Sequence, residues 1–504
     1  MNVDVVIKPE LDQDFLPAVL WNRAYRDLVQ ESSNGSELVN GSEVAIALLR
    51  PDETCSVFRT QILPLAVESE KLTLCYLERI LKFLFWQRGG CSVLIAGGDS
   101  LVGKLAAIYS AQGVRAFDHD FFGDKVYRKP LAIGACAMED IPAENETAVP
   151  LGRHLDGCRI GFDLGGSDRK CAAVIDGEVV FSEEIEWNPY FENDPSYQIE
   201  GINDTLKRAA AHLPRVDAIG GSSAGVYVNN EVRVASLFRG VSPEDFESKV
   251  RRLFFDLQKR WGNVPFDVVN DGEVTALAGS MSMHENAVLG LAMGTSEAVG
   301  YVTPEGNITP MLNELAFAPI DYREDAPIDE WSGDAGVGAQ YLSQQAVARL
   351  VPAAGIELPG DMPFPEQLVE VQKLMANGDE RAAKIYSTIG TYLGYAIAHY
   401  ADFYQIRKVL LLGRVTSGQG GTIIIEQAGK RVLVVWTGDG VVGLNGQTGE
   451  VYWRHPFKPS KMVINIATPV VEGDRMFLTS FYDGSLMLQL PPDRLAVREV
   501  WKAK

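Results

Sequence analysis

A hairpin-like segment of the 504-residue chain places a carboxylate where phosphate could bind. In Arg159 to Lys170 (RIGFDLGGSDRK), an apolar run ends in Asp163, which precedes Gly165, Gly166 and Ser167. The pattern predicts a strand, a tight turn in which the glycines adopt positive φ, and a second strand. Bare amides in such a turn can point at phosphoryl oxygens, and Asp163 would hold Mg²⁺ directly or through water. An ordinary β-hairpin turn also explains these residues.

A second carboxylate follows another apolar run. Asn270 and Asp271 come directly after Val268 and Val269, and a helix is predicted to begin behind them at Val274 to Gly279. A carboxylate in a cleft can orient a substrate hydroxyl and finally take its proton, as phosphoryl transfer requires. The alternative is that Asp271 caps the helix, and the two roles are compatible.

The polar turns that follow apolar strands occur in a fixed order along the chain. After the first hairpin they lie in Val216 to Val228, Phe266 to Gly279, Ala287 to Val302, and Lys408 to Gly421. In this order the segments resemble the ROK family of sugar kinases, within the actin, sugar kinase and Hsp70 superfamily. The resemblance implies a two-lobed α/β fold of the actin-like ATPase and ribonuclease H-like type, and ATP-dependent phosphorylation of a sugar hydroxyl.

The resemblance also implies roles for individual residues. Asp271 would be the catalytic base, and the nucleotide and its Mg²⁺ would contact Asp163, Gly165, Gly166, Ser167, Gly294, Thr295, Ser296, Gly413 and Arg414. The residues implied for sugar binding are Asn270, Glu314, Ser222, Ser223 and Gln340. Because a carboxylate beside phosphate would repel it, we expect the Glu297 side chain to point away from the turn.

Two departures from the family pattern leave the sugar unidentified. The family has a histidine three residues after its glutamate, whereas Phe317 stands there in this chain. The family's zinc loop is rich in cysteine, but Trp331 to Val347 contains none, so no zinc is expected. These departures indicate a divergent branch. They also keep open a second hypothesis, a non-catalytic sugar-binding or interaction protein with the kinase-like fold.

The first 150 residues are predicted to form a separate α/β domain of unassigned role. Cys91 to Gly98 is predicted as a strand, Leu101 to Gln112 as a helix and Gly113 to Phe121 as the next strand. Ile141 to His154 is predicted to be the linker to the kinase-like core, which would span residues 151–425.

Two nucleotide-related alternatives exist for this N-terminal part. Gly98, Gly103 and Lys104 fit the spacing of a P-loop, but Leu105 replaces the hydroxyl residue that would hold Mg²⁺. A DNA-binding domain, as in ROK repressors, would need a basic recognition helix, and the helical segment Leu72 to Trp86 is too apolar for that. We expect that segment to be core.

The last 80 or so residues change character. From Arg431 strands and turns alternate, and Asn445, Thr448, Gly449 and Trp453 resemble a PQQ-like β-propeller repeat. Residues 426–504 would hold one complete blade and part of another, with Thr448-Gly449 as a hairpin turn and Trp453 between blades. The chain therefore resembles a join of two genes near residues 423–430. No quinone cofactor is expected, since most such repeats are scaffold.

Composition limits the remaining possibilities. A net charge of -21 without a basic patch argues against a nucleic-acid partner. The six cysteines show no metal-binding spacing, so we expect reduced thiols. No apolar run is long enough for a membrane helix, and the first residues lack a signal-peptide pattern, which predicts a cytoplasmic protein. Kinases of the family often dimerise, so a homodimer is an option, although the sequence carries no interface signature.

Overall fold

The computed structural model describes residues 1–34, 42–146, 152–416, 422–436, 440–445, 450–457, 469–480 and 484–503. The N-terminal part combines a four-stranded sheet, in the order β2-β1-β3-β4, with helices. Its elements are α1 (Ala18–Asn34), β1 (Ser42–Leu49), β2 (Cys55–Ile62), α2 (Val67–Arg88), β3 (Ser92–Ala96), α3 (Asp99–Ile108), α4 (Ala116–Asp120) and β4 (Ala132–Ala135).

The predicted strand at Gly113 to Phe121 is wrong. The segment contains α4, and residues 121–127 continue as a π-helical turn. Phe117 and Phe121 are four residues apart, so in a helix both rings lie on one face, where they pack against Trp331. The parallel neighbour of β3 is instead β4, which completes the predicted β-α-β unit.

Helix α2 is core, as predicted. Its last three turns are buried on nearly all sides. Phe83, Leu84, Phe85 and Trp86 are fully buried, and the charged Glu78 and Lys82 are buried as well. One continuous buried cluster contains these side chains together with those of the second lobe described below. The N-terminal part therefore shares its hydrophobic core with that lobe.

The first lobe is built on a five-stranded sheet in the order β11-β8-β5-β6-β7. Strands β5, β6 and β7 pair antiparallel, whereas β8 and β11 run parallel to β5. The carboxyl ends of three strands therefore meet at one edge of the sheet. The elements of this lobe are β5 (Cys158–Leu164), β6 (Asp168–Ile175), β7 (Glu178–Glu186), α5 (Ser196–Ala210), β8 (Ala218–Ser223), β9 (Val226–Val228), β10 (Glu231–Val234), α6 (Pro243–Asp245), α7 (Leu253–Arg260) and β11 (Phe266–Asn270).

The second lobe begins with a helix that leads directly out of β11 and packs on a three-stranded sheet in the order β13-β12-β14. Its elements are α8 (Asp271–Met283), β12 (Val288–Met293), β13 (Glu297–Val302), α9 (Gln344–Ala353), α10 (Phe364–Ala376), α11 (Glu380–Tyr400) and β14 (Lys408–Leu412). Glycines allow the close packing, since a Cβ on Gly300 would lie 2.1 Å from the Gly272 carbonyl oxygen.

The C-terminal part forms two antiparallel sheets of four strands each. The second sheet is more complete than the partial blade that the sequence predicted. A separate buried cluster joins the two sheets. The strands are β15 (Thr422–Gln427), β16 (Lys430–Trp436), β17 (Gly440–Leu444), β18 (Val451–Pro456), β19 (Val470–Glu472), β20 (Arg475–Ser480), β21 (Gly484–Gln489) and β22 (Arg498–Ala503). Thr448 and Gly449 lie outside the described residues.

Across the described ranges, no helix has the length and apolar character needed to cross a membrane. All six cysteines lie within these ranges, and each is a free thiol.

Candidate functional site

The ends of three first-lobe strands bring the predicted carboxylates to one edge of the sheet. Asp163 pairs in register with Ser222 on β8, and Asn270 pairs with Ser223. The Ser222 hydroxyl donates a 2.6 Å hydrogen bond to Asp163 Oδ1. Ser222 therefore supports the Asp163 carboxylate, and its hydroxyl is already engaged there.

The turn between β5 and β6 needs its glycines for close packing, not for positive φ. The prediction of positive φ is wrong, because neither Gly165 nor Gly166 adopts it. A Cβ on Gly166 would instead lie 1.9 Å from the hydroxyl oxygen of Tyr190. The Trp187 indole donates a 2.8 Å hydrogen bond to the Gly165 carbonyl. The residues that follow β7 therefore fix the shape of this turn.

Charged side chains surround the same turn. Lys170 Nζ lies 2.7 Å from Asp168 Oδ1 and 3.5 Å from Asp163 Oδ2. The hydrogen bond from Lys170 lowers the pKa of Asp168, and Ser167 and Arg414 contribute in the same direction. Arg414 belongs to the second lobe, so its effect on Asp168 means that the two lobes face each other here.

Asn270, not Asp271, caps helix α8. The Gly272 amide donates a 2.7 Å hydrogen bond to Asn270 Oδ1, and Asn270 Nδ2 donates to the Gly225 carbonyl at 2.7 Å. Asp271 occupies the first helical position, where its Oδ1 lies 3.0 Å from the same Gly272 amide. The alternative that Asp271 is the cap residue is therefore wrong, because the preceding asparagine fills that position.

Burial raises the pKa of Asp271, and the charge of Asp163 adds to the effect. Burial also raises the pKa of Glu314 to about 8, with a further contribution from Asp271. Glu314 Oε1 is 3.5 Å from Asn270 Nδ2. Asp163, Asn270, Asp271 and Glu314 thus form one electrostatically linked group.

Helix α2 of the N-terminal part positions Glu314. The Asn313 and Glu314 amides donate 3.0 Å hydrogen bonds to the carbonyls of Gln87 and Trp86, respectively. Phe317 packs on Trp86, with ring centroids 4.7 Å apart. The residue that replaces the family's histidine is therefore part of an aromatic cluster. Nothing in the sequence signalled that α2 would serve the site.

The two predicted phosphate and adenosine turns of the second lobe are adjacent. Strands β12 and β14 pair in parallel, and the Val415 amide donates a 3.0 Å hydrogen bond to the Met293 carbonyl. Gly413 has a φ of 98°, and a Cβ there would lie 2.4 Å from the Met293 carbonyl oxygen. Only glycine therefore fits at that position. The continuation at 417–421 lies outside the described residues.

The Gly294 turn exposes its hydroxyl residues, Thr295 and Ser296, whereas the next residue turns inward. Glu297 is buried, and the Tyr400 hydroxyl donates a 3.0 Å hydrogen bond to its Oε1. Burial raises the pKa of Glu297 to about 8. The expectation that this carboxylate points away from the turn agrees with its position.

Besides Ser222, two further residues predicted to bind sugar are engaged with other side chains. Gln340 is buried and donates a hydrogen bond from Nε2 to Gln345 Oε1 at 2.5 Å. Ser223 accepts a 2.7 Å hydrogen bond from the Tyr227 hydroxyl. Among the described contacts, none joins Gln340 to Asn270 or Glu314.

Sequence reasoning missed a buried polar chain behind the site. Asn313 donates from Nδ2 to Glu273 Oε1, and the Tyr404 hydroxyl donates to Asn313 Oδ1 at 2.7 Å. Burial raises the pKa of Glu273 to about 8. A lone glutamate in the first turn of a helix looks like an ordinary surface residue, so no local pattern marks it.

Asp163 is the residue that the sequence predicts to hold a metal ion. Within the described ranges no group of three or more His, Cys, Asp or Glu side chains is arranged for metal binding. Mg²⁺ in nucleotide sites usually keeps several waters and uses one or two carboxylates together with the phosphates. A single carboxylate oriented by Ser222 fits that requirement.

Comparison with solved structures finds similarity over about half of the chain. A ROK family transcriptional regulator, described as a homolog of the E. coli MLC protein, is 20% identical over 52% of this chain and 66% of its own, with a TM-score of 0.42. The ROK hexokinase from Thermus thermophilus is 18% identical over 51% of this chain and 82% of its own, with a TM-score of 0.41.

A ROK family glucokinase from Streptomyces griseus, in complex with glucose and AMPPNP, is 18% identical over 51% of this chain and 83% of its own, with a TM-score of 0.38. No family model matches the chain. No curated protein matches it either. The structural neighbours thus include both sugar kinases and a regulator, and similarity at this level does not assign an activity to the chain.

Proposed function

We propose that this protein transfers a phosphoryl group from ATP to a hydroxyl of a sugar. The observation that carries the proposal is the position of Asp271 at the carboxyl end of β11, where Asn270 takes the capping role and Asp163 lies within electrostatic range. A buried carboxylate is a stronger base than an exposed one, because burial disfavours its charged form. Asp271 would orient the attacking hydroxyl and take its proton as the bond to phosphorus forms.

The turns at Gly165, Gly294 and Gly413 would surround the nucleotide. The exposed Thr295 hydroxyl and the amides of the Gly294 turn would contact the transferred phosphoryl group. Asp163 would hold Mg²⁺, which when bound neutralises charge on the phosphates. Lys170 and Arg414 are two cations near the Gly165 turn, and a bound phosphate would compete with Asp168 for them.

The test is ADP release, coupled to a spectroscopic readout, with Mg²⁺, ATP and a panel of hexoses and hexosamines. We expect turnover with at least one sugar and a fall of about 10²–10⁴-fold in kcat for Asp271→Asn, since a general base contributes that much. Sugar affinity, measured by calorimetry, should change little, because the amide keeps the shape of the side chain. Full activity in Asp271→Asn would remove this residue from the base role.

A specific observation favours the second candidate, a non-catalytic sugar-binding or interaction protein. The described sheet of the second lobe has three strands, whereas that of the first lobe has five. A second lobe with fewer strands would hold ATP less firmly, because the proposed nucleotide-binding turns at Gly294 and Gly413 belong to it. This candidate predicts saturable sugar binding without ADP release, and sugar-dependent ADP release would contradict it.

For the other parts of the chain, we propose the boundaries 1–150, 151–425 and 426–504 for the N-terminal, kinase-like and tail segments. The two sheets of the tail are proposed to be PQQ-like blades that serve as scaffold. The Trp453 indole donates a 2.9 Å hydrogen bond to Gln427 and its ring covers Gly443, both within its own sheet, so its predicted position between blades stays a prediction. A cytoplasmic location without nucleic-acid or membrane partners, and dimerisation, stay predictions.

A further inference from the structure

Asn313, the residue before Glu314, has a backbone conformation that most residues avoid. Its φ is 52°, in the left-handed region that costs residues other than glycine free energy, although asparagine tolerates it better than most. A conformation of this kind persists only where the surrounding contacts impose it. Asn313 is 1% exposed, so the contacts that impose its conformation are internal.

Three separate parts of the chain supply these contacts. The Asn313 amide donates to the Gln87 carbonyl near the end of α2, and Asn313 Nδ2 donates to Glu273 Oε1 on α8. The hydroxyl of Tyr404, in the connection between α11 and β14, donates to Asn313 Oδ1 at 2.7 Å. Both the backbone and the side chain of Asn313 are thus fixed, because rotating either would break a buried hydrogen bond.

Glu273 connects Asn313 to the helix that carries the proposed base. It lies in the first turn of α8, two residues after Asp271. The charge of Glu314 contributes to the raised pKa of Glu273, so these two carboxyl groups lie within electrostatic range. Glu314 is itself partly exposed, and its Oε1 lies 3.5 Å from Asn270 Nδ2. The contacts of Asn313 therefore determine where the chain enters Glu314, beside the candidate site.

We propose that Glu273 and Asn313 are positioning residues for the Glu314 carboxylate. By fixing that carboxylate beside Asn270, they set the affinity for the sugar. They act through Glu314 and do not touch the sugar themselves. The N-terminal part contributes as well, since carbonyls of α2 hold both Asn313 and Glu314. This inference rests on the proposed function for the role of Glu314 in sugar binding, but the position of the carboxylate can be measured without a sugar.

The first test measures that position in crystal structures of the unmodified protein and its variants. Asn313→Gly removes the side-chain contacts and keeps a residue that adopts positive φ readily. Glu273→Met removes the acceptor of Asn313 Nδ2 and keeps a side chain of similar length. We expect the distance from Asn270 Nδ2 to Glu314 Oε1 to grow by about 1 Å or more in both variants. Glu273→Gln should leave it unchanged, because glutamine keeps an acceptor oxygen.

The second test measures sugar affinity by calorimetry, with glucose, mannose and glucosamine as the probes, and KM values by ADP release. We expect the sugar Kd to rise about tenfold or more in Asn313→Gly and Glu273→Met, and the KM for ATP to change less than about twofold. Glu273→Gln should bind sugar as the unmodified protein does. A merely structural role would lower stability in the variants without this difference between sugar and ATP.

Tyr404→Phe and Tyr25→Phe form a matched pair for the same assay. Each removes a buried hydroxyl that donates to a side-chain oxygen, Asn313 Oδ1 in the first case and Thr73 Oγ1, at 3.0 Å, in the second. Thr73 lies in the first half of α2, whereas Gln87 lies near its end. We expect only Tyr404→Phe to weaken sugar binding, by about threefold or more. Tyr404→Phe also keeps the test decisive if the larger substitutions fail to fold.

The outcomes separate this inference from the proposed function. A Glu314 carboxylate that stays in place in both variants, or a sugar Kd that stays unchanged, would overturn the positioning role and leave the kinase proposal intact. A displaced carboxylate in a protein that binds none of the three sugars would support the positioning of Glu314 and count against the proposed function. Equal loss of sugar affinity in Tyr404→Phe and Tyr25→Phe would also overturn the positioning role.

Discussion

At the scale of single residues, the site contains carboxyl groups whose burial disfavours their charged form. Burial raises the pKa values of Glu273, Glu297 and Glu314 to about 8, so each binds a proton more tightly in the folded chain than in the unfolded chain. Perturbed groups of this kind often cluster at functional sites. Two of them, Glu273 and Glu314, adjoin Asp271, and the third lies behind the Gly294 turn.

The raised pKa values of these glutamates predict that the free energy of unfolding falls as pH rises. Each glutamate contributes its full stabilisation below its pKa in the unfolded chain, near 4.5. This stabilisation is lost as pH rises towards its pKa in the folded chain, about 8. Each group changes the free energy of unfolding by about 1.4 kcal/mol per pH unit in that window. Urea unfolding at pH 5.5 and 7.5 measures the slope. Glu297→Gln should reduce the pH slope of the free energy of unfolding by the contribution of one carboxyl group.

The matched control is Glu305→Gln, because the Glu305 side chain is exposed. An identical pH slope in Glu297→Gln and the unmodified protein would mean that Glu297 is not protonated in the folded state.

At the scale of elements, the first hairpin depends on a contact that its own sequence does not reveal. Gly166 lies against the Tyr190 hydroxyl, and the Arg239 guanidinium lies 4.1 Å from the centroid of the Tyr190 ring. The stretch after β7 therefore covers the turn from one side. Strands β5 and β6 form a hairpin with regular antiparallel pairing, which the local sequence explains. The local sequence does not explain why position 166 needs glycine.

Gly166→Ala should destabilise the protein by about 1–3 kcal/mol, because the new methyl group would overlap Tyr190. It should also raise the KM for ATP if the turn holds phosphate. The double variant Gly166→Ala/Tyr190→Ala should recover part of the stability by opening space for the methyl group. Thermal unfolding and ATP titration of the two variants measure both effects.

Gly161→Ala on the same hairpin is the control, because no atom lies within 4 Å of a Cβ at that position. Equal destabilisation by Gly161→Ala and Gly166→Ala would show that the Tyr190 contact is not the cause.

At the scale of the whole molecule, the N-terminal part and the second lobe are joined by buried charges as well as by a common core. Lys82 Nζ lies 2.9 Å from Asp118 and 2.6 Å from Asp334, and both Lys82 and Asp118 are fully buried. Arg115 pairs with Asp334 and, at 2.7 Å, with Glu78. The cluster ties α2 and α4 to the loop that precedes α9.

Lys82→Met should destabilise the folded chain by about 3–5 kcal/mol, because it leaves two buried carboxylates with one cation fewer. The double variant Lys82→Met/Asp118→Asn should lose less stability than Lys82→Met, because one of the two carboxylate charges left without Lys82 is removed as well. Chemical denaturation of the two variants provides the comparison.

Lys104→Met is the control, because its ion pair with Glu70 is about half exposed on both sides and should contribute less than about 1 kcal/mol. Equal losses in Lys82→Met and Lys104→Met would contradict a structural role for the buried cluster.

The sequence by itself determined the features that depend on neighbours along the chain. Apolar runs with polar ends at Asp163 and Asn270 give strands, and the helix behind Asp271 follows from its composition. These features are local because a strand or helix forms from hydrogen bonds and side-chain periodicity within a short window. The order of the strands then limits which ends can meet.

Only the tertiary structure decided the rest, because it depends on residues that are far apart in sequence. Asn270 caps α8 while its side-chain amide donates a hydrogen bond to the Gly225 carbonyl, 45 residues earlier. Glu314 is held by carbonyls of α2, and the Gly166 position is fixed by Tyr190. Burial, which raises the pKa values of these glutamates, arises only when distant parts of the chain pack together.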